Sequence, residues 1–388
     1  MVLAEPPTRG GYFSLVNQLR GAAALLVVWD HLVGQWLAQR GLQWAPSDLV
    51  ERFVLGPLNL IQHAGFLGVA LFFLISGFVV TRAAAREDGR TFVLRRLTRV
   101  YPPLVAAVLL AVAVAWAQAE LGMGSEAWDA LTPAAVLKAM TLVTYVSVPQ
   151  VVVVGVAWTL VIELVFYAML WAVGPLLKSA RPDWLATVVI LAVVVAVGLL
   201  GRSLGDGFFL LSVSVSYVPV LVVGHVVYLV SQRRTPVWVG GLLALAAWLV
   251  FVWGVERTQP TFLTPESSYG SSLSVALLLF VLAVLCEGRI RPARWVDVVA
   301  ARSYTLYLVH GIVGLFVLDV VTREGVAYRW ALLAALIATA AVTEGFYRAV
   351  ERPSISLGRR LTRSRRDTAG GTPSAHREPE PGQIAAPV

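Results

Sequence analysis

Residues 17–36 read NQLRGAAALLVVWDHLVGQW. The run is apolar and long enough to cross a hydrocarbon core of about 30 Å, which takes about 20 helical residues. Even so, it carries Arg20, Asp30 and His31. A helix turns about 100° per residue, so Arg20, Ala24, Val27 and His31 fall on one stripe. At about 1.5 Å per residue, Arg20 and His31 face the same way roughly 16 Å apart. With Arg20 at one surface, His31 sits near the midplane. An imidazole is costly to bury there and is the side chain best suited to take and return a proton near neutral pH, which points to function. The competing reading is a histidine satisfied by a neighbouring backbone or side chain.

The composition agrees with that stretch. The chain of 388 residues is 58% hydrophobic and 14% charged, with a mean hydropathy of +0.75. Soluble domains carry about 25% charge, so the expected fold class is an all-α, polytopic helical membrane protein whose main partner is the lipid bilayer, not nucleic acid. The single cysteine, Cys286, has no partner for an intrachain disulfide. The first eighteen residues hold Glu5, Pro6, Pro7 and Gly10 and lack an apolar core, so the first span is expected to target the chain. Arginine far outnumbers lysine, and with the Ala and Val excess this suggests a GC-rich bacterial genome and a bacterial cytoplasmic-membrane location.

Apolar runs between charged or Gly/Pro breaks predict ten spans, near 19–38, 64–81, 101–118, 151–173, 185–200, 208–230, 237–254, 271–286, 303–320 and 330–349. The stretch 133–149, broken by Lys138 and bounded by prolines, reads as a re-entrant or interfacial segment, with an eleventh span as the alternative. With the N terminus inside, 22 basic residues fall in cytoplasmic segments and 7 in outer ones, which favours ten spans with both termini cytoplasmic. Residues 1–18 then form a cytoplasmic segment, 19–350 one membrane domain, and 351–388 a basic and then disordered tail. No internal repeat is visible, which weighs against a transporter.

Several motifs carry polar chemistry into the spans. In the second, Gly65, Gly68 and Gly77 allow close backbone approach and Ser76 can hydrogen bond across an interface. Arg95, Arg96 and Arg99 precede Tyr101-Pro102 within about one turn. Three guanidiniums there fit a phosphate clamp, and equally an anchor to anionic lipid. Thr159, Glu163 and Tyr167 share a face beside Trp158; Glu163 needs a cation or a proton inside a span. Ser303, Tyr307 and His310 make a polar stripe that lines a pocket or a packing interface. Glu344 and Arg348, four apart, read as a structural pair, and Glu351-Arg352-Pro353 as a helix end. His225 and Asp319 are single polar groups without an evident role. No metal motif, nucleotide loop or GxSxG elbow occurs.

Taken together these motifs resemble the acyltransferase-3 family of integral membrane O-acyltransferases over residues 12–355. LRGAAALLVVWDH is similar to the family's first-span motif, GVALFFLISGFVVTRA to its SGF span and FVLRRLTRVYP to RRxxRxYP. AWTLVIELVFY resembles WSLxxExxFY, SYTLYLVH resembles SYxxYLxH, and YRAVERP the closing signature. Thr159 replaces the usual serine and Leu164 a frequent second acid, and the C-terminal esterase-like domain of many relatives is not seen. The resemblance implies transfer of an acyl group, commonly acetyl, from acyl-CoA as co-substrate, with no tightly bound cofactor, to a hydroxyl of a macrolide, another secondary metabolite or a sugar. Envelope-glycan acetylation, or transport of a proton or sugar by the same buried charges, is the alternative. In the enzyme reading His31 is the general base, Arg20 orients donor or base, and Glu163 balances an arginine or relays a proton. Arg95, Arg96, Arg99 and Tyr101 hold acyl-CoA, while Ser76, Trp158, Ser303, Tyr307 and His310 are pocket candidates.

Overall fold

The computed structural model describes residues 14–124, 128–179, 182–259, 269–290 and 293–362. Their regular structure is entirely helical, with no strand among the described residues. Among the described residues nine helices are long and apolar enough to cross a membrane: α1 (Ser14–Arg40), α2 (Gln62–Arg86), α3 (Gly89–Glu120), α4 (Gly155–Leu177), α6 (Asp206–Ser231), α7 (Val237–Thr258), α8 (Tyr269–Cys286), α9 (Arg294–Arg323) and α10 (Tyr328–Leu361). The shorter apolar helix α5 (Trp184–Leu200) lies at the expected tenth position. The ten expected spans thus correspond one to one with helices of this multi-pass membrane protein. The stretch 133–149 instead holds a helix over Pro133–Met140 and a 3₁₀ turn over Val143–Val146. At about 1.5 Å per residue this helix is far too short to cross.

The bundle is organised around α2. Of its most apolar window 83% is buried, against 28% for α7, α8 and α10. Small residues make this possible, because helices in lipid associate through close packing and not through exclusion of water. A Cβ at Gly77 would run into the Leu221 carbonyl of α6, and one at Gly224 into the Leu74 carbonyl of α2. The two backbones therefore touch reciprocally. Gly68 meets the Ala23 carbonyl of α1 in the same manner, and Gly21 brings α1 against the backbone of Ala300 in α9.

One end of the bundle gathers the arginine-rich connections. There the Glu287 carboxylate accepts hydrogen bonds from Ser14 N and Oγ (2.9 and 2.7 Å) and from Leu15 N (3.0 Å), capping the positive end of α1. At the same end Asp88 caps α3 by accepting from Thr91 N (3.0 Å), and hydrogen bonds from the Thr91 side chain and backbone hold its carboxyl below the usual range. Arg352–Leu361, which the sequence assigns to the tail, continues α10 as a helix and packs on the start of α3. Gly358 is the contact point: a Cβ there would strike Thr98 Oγ1. Residues 1–13 and 363–388, read above as cytoplasmic segment and disordered tail, lie outside the described residues.

Two polar groups without a role in the sequence are explained by packing. His225 is fully buried on α6, with Nδ1 2.8 Å from Thr81 Oγ1 and Nε2 3.1 Å from Thr187 Oγ1. Thr81 already donates to the Gly77 carbonyl, so it accepts from Nδ1–H, and Thr187 donates to Nε2. Both nitrogens are satisfied, as a structural histidine requires. Asp319 accepts from Trp36 Nε1 and from Arg40, each at 2.7 Å, near the opposite end of α1.

Candidate active site

α1, α2, α3, α4 and α9 enclose a cavity of about 790 Å³, counted to its open mouth. Its polar lining is Arg20, Ser76, Arg96, Arg99, Thr159, Glu163, Tyr167, Tyr304 and Tyr307, and its apolar lining includes Phe72 and Phe73. The helix register explains this convergence. Arg96 and Arg99 are three apart on α3, and Thr159, Glu163 and Tyr167 are four apart on α4, so each set presents one face. Pro102 and Pro103 lie just beyond Arg99 inside α3 and deprive the Thr98 and Arg99 carbonyls of their helical donors, loosening the helix at the cavity.

The carboxylates of the site are occupied by hydroxyls. Glu163 accepts from Ser76 Oγ at 2.5 Å and from Tyr167 OH at 2.7 Å. Glu351, buried on α10, accepts from Thr305 Oγ1 at 2.5 Å. Both face the charge of Arg20, yet among the described residues neither forms an ion pair with it. Arg99 likewise makes no hydrogen bond or ion pair among the described residues. Arg96 lies over the rings of Phe92 and Tyr167 (5.7 and 5.9 Å), with Nε buried and unpartnered. A half-buried guanidinium without a bonded counter-charge is costly. Three of them around one cavity make a receptor for an anion, and the planar fork suits phosphate.

Not every residue expected at the site reaches it. Arg95 turns away from the cavity, because Glu87 takes its Nη1 at 2.7 Å and Thr362 its Nε at 3.0 Å. Tyr101 is half-buried and does not line the cavity. Trp158 packs edge-on against Phe73 and beside Tyr217. Ser303 is fully buried, its hydroxyl without a hydrogen-bond partner. Tyr307 does line the cavity and is fixed there by Thr159 Oγ1 (3.1 Å) and the Val156 carbonyl (3.2 Å).

His31 and His310 stand just past the inner end. The Tyr307 ring, in the cavity wall, lies 5.3 Å from Phe72 and 6.1 Å from His310, centre to centre. His310 in turn packs edge-on against His31 at 5.0 Å. Both histidines sit on π-helical turns, Asp30–Gln35 in α1 and His310–Gly314 in α9. Such turns insert an extra residue, rotate the side chains that follow and release backbone groups from the helical ladder. The Leu32 carbonyl, within the first, accepts from Tyr328 OH at 2.9 Å.

The hydrogen bonds fix the protons of the pair. His31 Nδ1 lies 2.9 Å from the Val27 carbonyl, and His310 Nδ1 lies 3.1 Å from the Leu306 carbonyl. A carbonyl only accepts, so both Nδ1 atoms carry hydrogen. In the neutral ring His310 Nε2 then bears a lone pair, which accepts a share of His31 Nδ1–H at 3.3 Å. His31 Nε2 is left with a free lone pair. The His31 side chain is 25% exposed whereas His310 is wholly buried, so of the two only His31 can touch a reactant.

Three groups at or near the site received no site role in the sequence reading. Tyr304 lines the cavity while bonding the Val100 carbonyl (2.8 Å), and Asp30 touches His31. Glu351 was hidden by Pro353, which reads as a helix end; here the proline falls just after a π-helical turn and the helix continues. The signal was its spacing of seven from Glu344, two helical turns on one face. Glu344 pairs with Arg302 of α9 and with Arg348 on its own helix, and Glu351 pairs with Thr305, about one turn further along α9.

A family profile described as an acyltransferase domain matches residues 14–348, and therefore takes in every helix that builds this site. The chain belongs to the acyltransferase-3 family. It is 28% identical to Acyltransferase MdmB of Streptomyces mycarofaciens over 334 residues, covering 77% of this chain and 84% of that one. No solved structure matches the chain. The protein is thus a multi-pass membrane acyltransferase, and its cavity belongs to an enzyme that moves an acyl group.

Proposed function

We propose that this acyltransferase moves an acetyl or other short acyl group from acyl-CoA to a hydroxyl of a macrolide or a related secondary metabolite. The observation that carries the donor is the cavity in which, among the described residues, Arg20, Arg96 and Arg99 lack bonded counter-charges while its carboxylate, Glu163, is held by hydroxyls. Phosphates of coenzyme A supply the missing anions at the arginine-rich end, and the pantetheine arm runs past Phe72 and Tyr307 toward His31. His31 Nε2 takes the proton of the acceptor hydroxyl, whose own pKa is too high for it to ionise unaided, as the oxygen attacks the thioester carbonyl. The C–O bond forms, the C–S bond breaks, and the proton passes to the departing thiolate. A secondary-metabolite acceptor is supported by the likeness to Acyltransferase MdmB of Streptomyces mycarofaciens; a sugar hydroxyl is the variant of the same reaction.

The test is turnover by the purified protein in detergent, with acetyl-CoA and panels of macrolides and glycosides. Free thiol and acylated product are measured together. Equal amounts of both without any gradient support the reading. Thiol release only in sealed, energised vesicles would replace it with coupled transport.

A further inference from the structure

Asp30 precedes His31 in sequence and is buried, 2% exposed. Its Oδ2 accepts from Gln35 Nε2 at 2.9 Å and lies 4.0 Å from His31 Nδ1, while Oδ1 is buried without a partner. The fold makes room for this carboxylate: a Cβ on Gly65, at the start of α2, would collide with it. A carboxylate with one amide for company is an expensive thing to bury unless a positive charge forms beside it.

That charge forms in the reaction proposed above. When His31 Nε2 accepts the hydroxyl proton, the ring becomes an imidazolium whose Nδ1–H already faces Val27, His310 and Asp30. We infer that Asp30 is a positioning residue whose carboxylate balances the imidazolium of His31, with His310 Nε2 sharing its Nδ1–H. The remaining titratable neighbours are accounted for. Tyr307 is tied to Thr159 and Val156, and His63, packed against Gly34, has Glu51 at 3.7 Å. Asp319 is engaged by Arg40 and Trp36. Asp30 is the one carboxylate within 4.0 Å of the His31 ring nitrogens among the described residues.

The inference rests on His31 acting as the base, and the experiment separates the two. Asp30→Asn keeps shape and the Gln35 contact but removes the charge; Asp30→Ser clears Gly65 as well and serves if the amide fails to fold. Carbethoxylation of His31, read peptide by peptide by mass spectrometry against pH, reports its protonation without any need for activity. Removing a neighbouring anion makes the imidazolium harder to form. The midpoint for His31 should therefore move to lower pH by one unit or more. In turnover kcat should fall at least 10-fold with donor KM unchanged, and the acidic limb of the rate profile should move the same way. An unmoved His31 midpoint in the charge-free variants overturns the role of Asp30. Wild-type turnover by His31→Gln would instead remove the base itself.

Discussion

At the residue scale the account turns on two nitrogens of one ring. Nδ1–H of His31 is committed to Val27 and shared with His310, which leaves Nε2 as the group that reacts. His31→Gln should therefore lower kcat by 10²-fold or more while acyl-CoA affinity stays within about twofold, since general-base catalysis is typically worth 10²–10⁴. Rapid-quench product analysis beside equilibrium donor binding checks this; a matched loss of both would mean that His31 only shapes the pocket. Much of this was legible in the sequence. The stripe from Arg20 to His31 follows from helical periodicity alone, and so does the face of Thr159, Glu163 and Tyr167. The pairing of His31 with His310 was not legible, because the two are far apart in sequence and π-helical turns leave no mark on spacing rules. Arg95 shows the converse limit. Spacing places it beside Arg96 and Arg99, but the carboxylate of Glu87 and the hydroxyl of Thr362 compete for its guanidinium, and neither contact can be read from periodicity.

At the scale of the elements, glycines set how closely helices approach and hence the shape of the cavity. α2 supplies Phe72, Phe73 and Ser76 to the site from one turn and meets α6 through Gly77 in the next. Gly77→Leu would drive a side chain into the Leu221 carbonyl, beyond the 1–3 kcal/mol usual for overpacking a core, because backbone has no rotamer to yield. The expected result is loss of monodisperse protein on size-exclusion chromatography after extraction. Gly241→Ala, which faces open space within α7, should remain as stable as wild type or gain slightly from better helix propensity. Equal behaviour of the two variants would refute the close α2–α6 contact. The final turns of α10 act similarly on α3. With Gly358 against Thr98, and Thr362 and Glu87 holding Arg95, the start of α3 is clamped so that Arg96 and Arg99 face inward. Gly358→Val should raise donor KM without touching the cavity itself, as read from initial rates against acyl-CoA concentration; an unchanged KM would mean that the clamp does not set the arginines.

Across the whole molecule, the proposed function places donor recognition at the arginines of the cavity and bond making at the histidine pair beyond Tyr307, so the two tasks would be separated along the bundle. The number and order of the helices follow from hydropathy and from the distribution of arginine. The convergence of Arg20, Arg96, Arg99 and Glu163 on one cavity follows from register on α1, α3 and α4 together, and only the packed helices reveal it. Isothermal titration of the detergent-solubilised protein with acetyl-CoA tests this arrangement most directly. Wild type should bind, Arg96→Gln and Arg99→Gln should each weaken binding at least 10-fold, Lys at either position should restore only part of it, and Arg95→Gln should bind as wild type. Undiminished affinity in the Arg96 and Arg99 variants, or a loss confined to Arg95, would contradict the cavity as the seat of the donor.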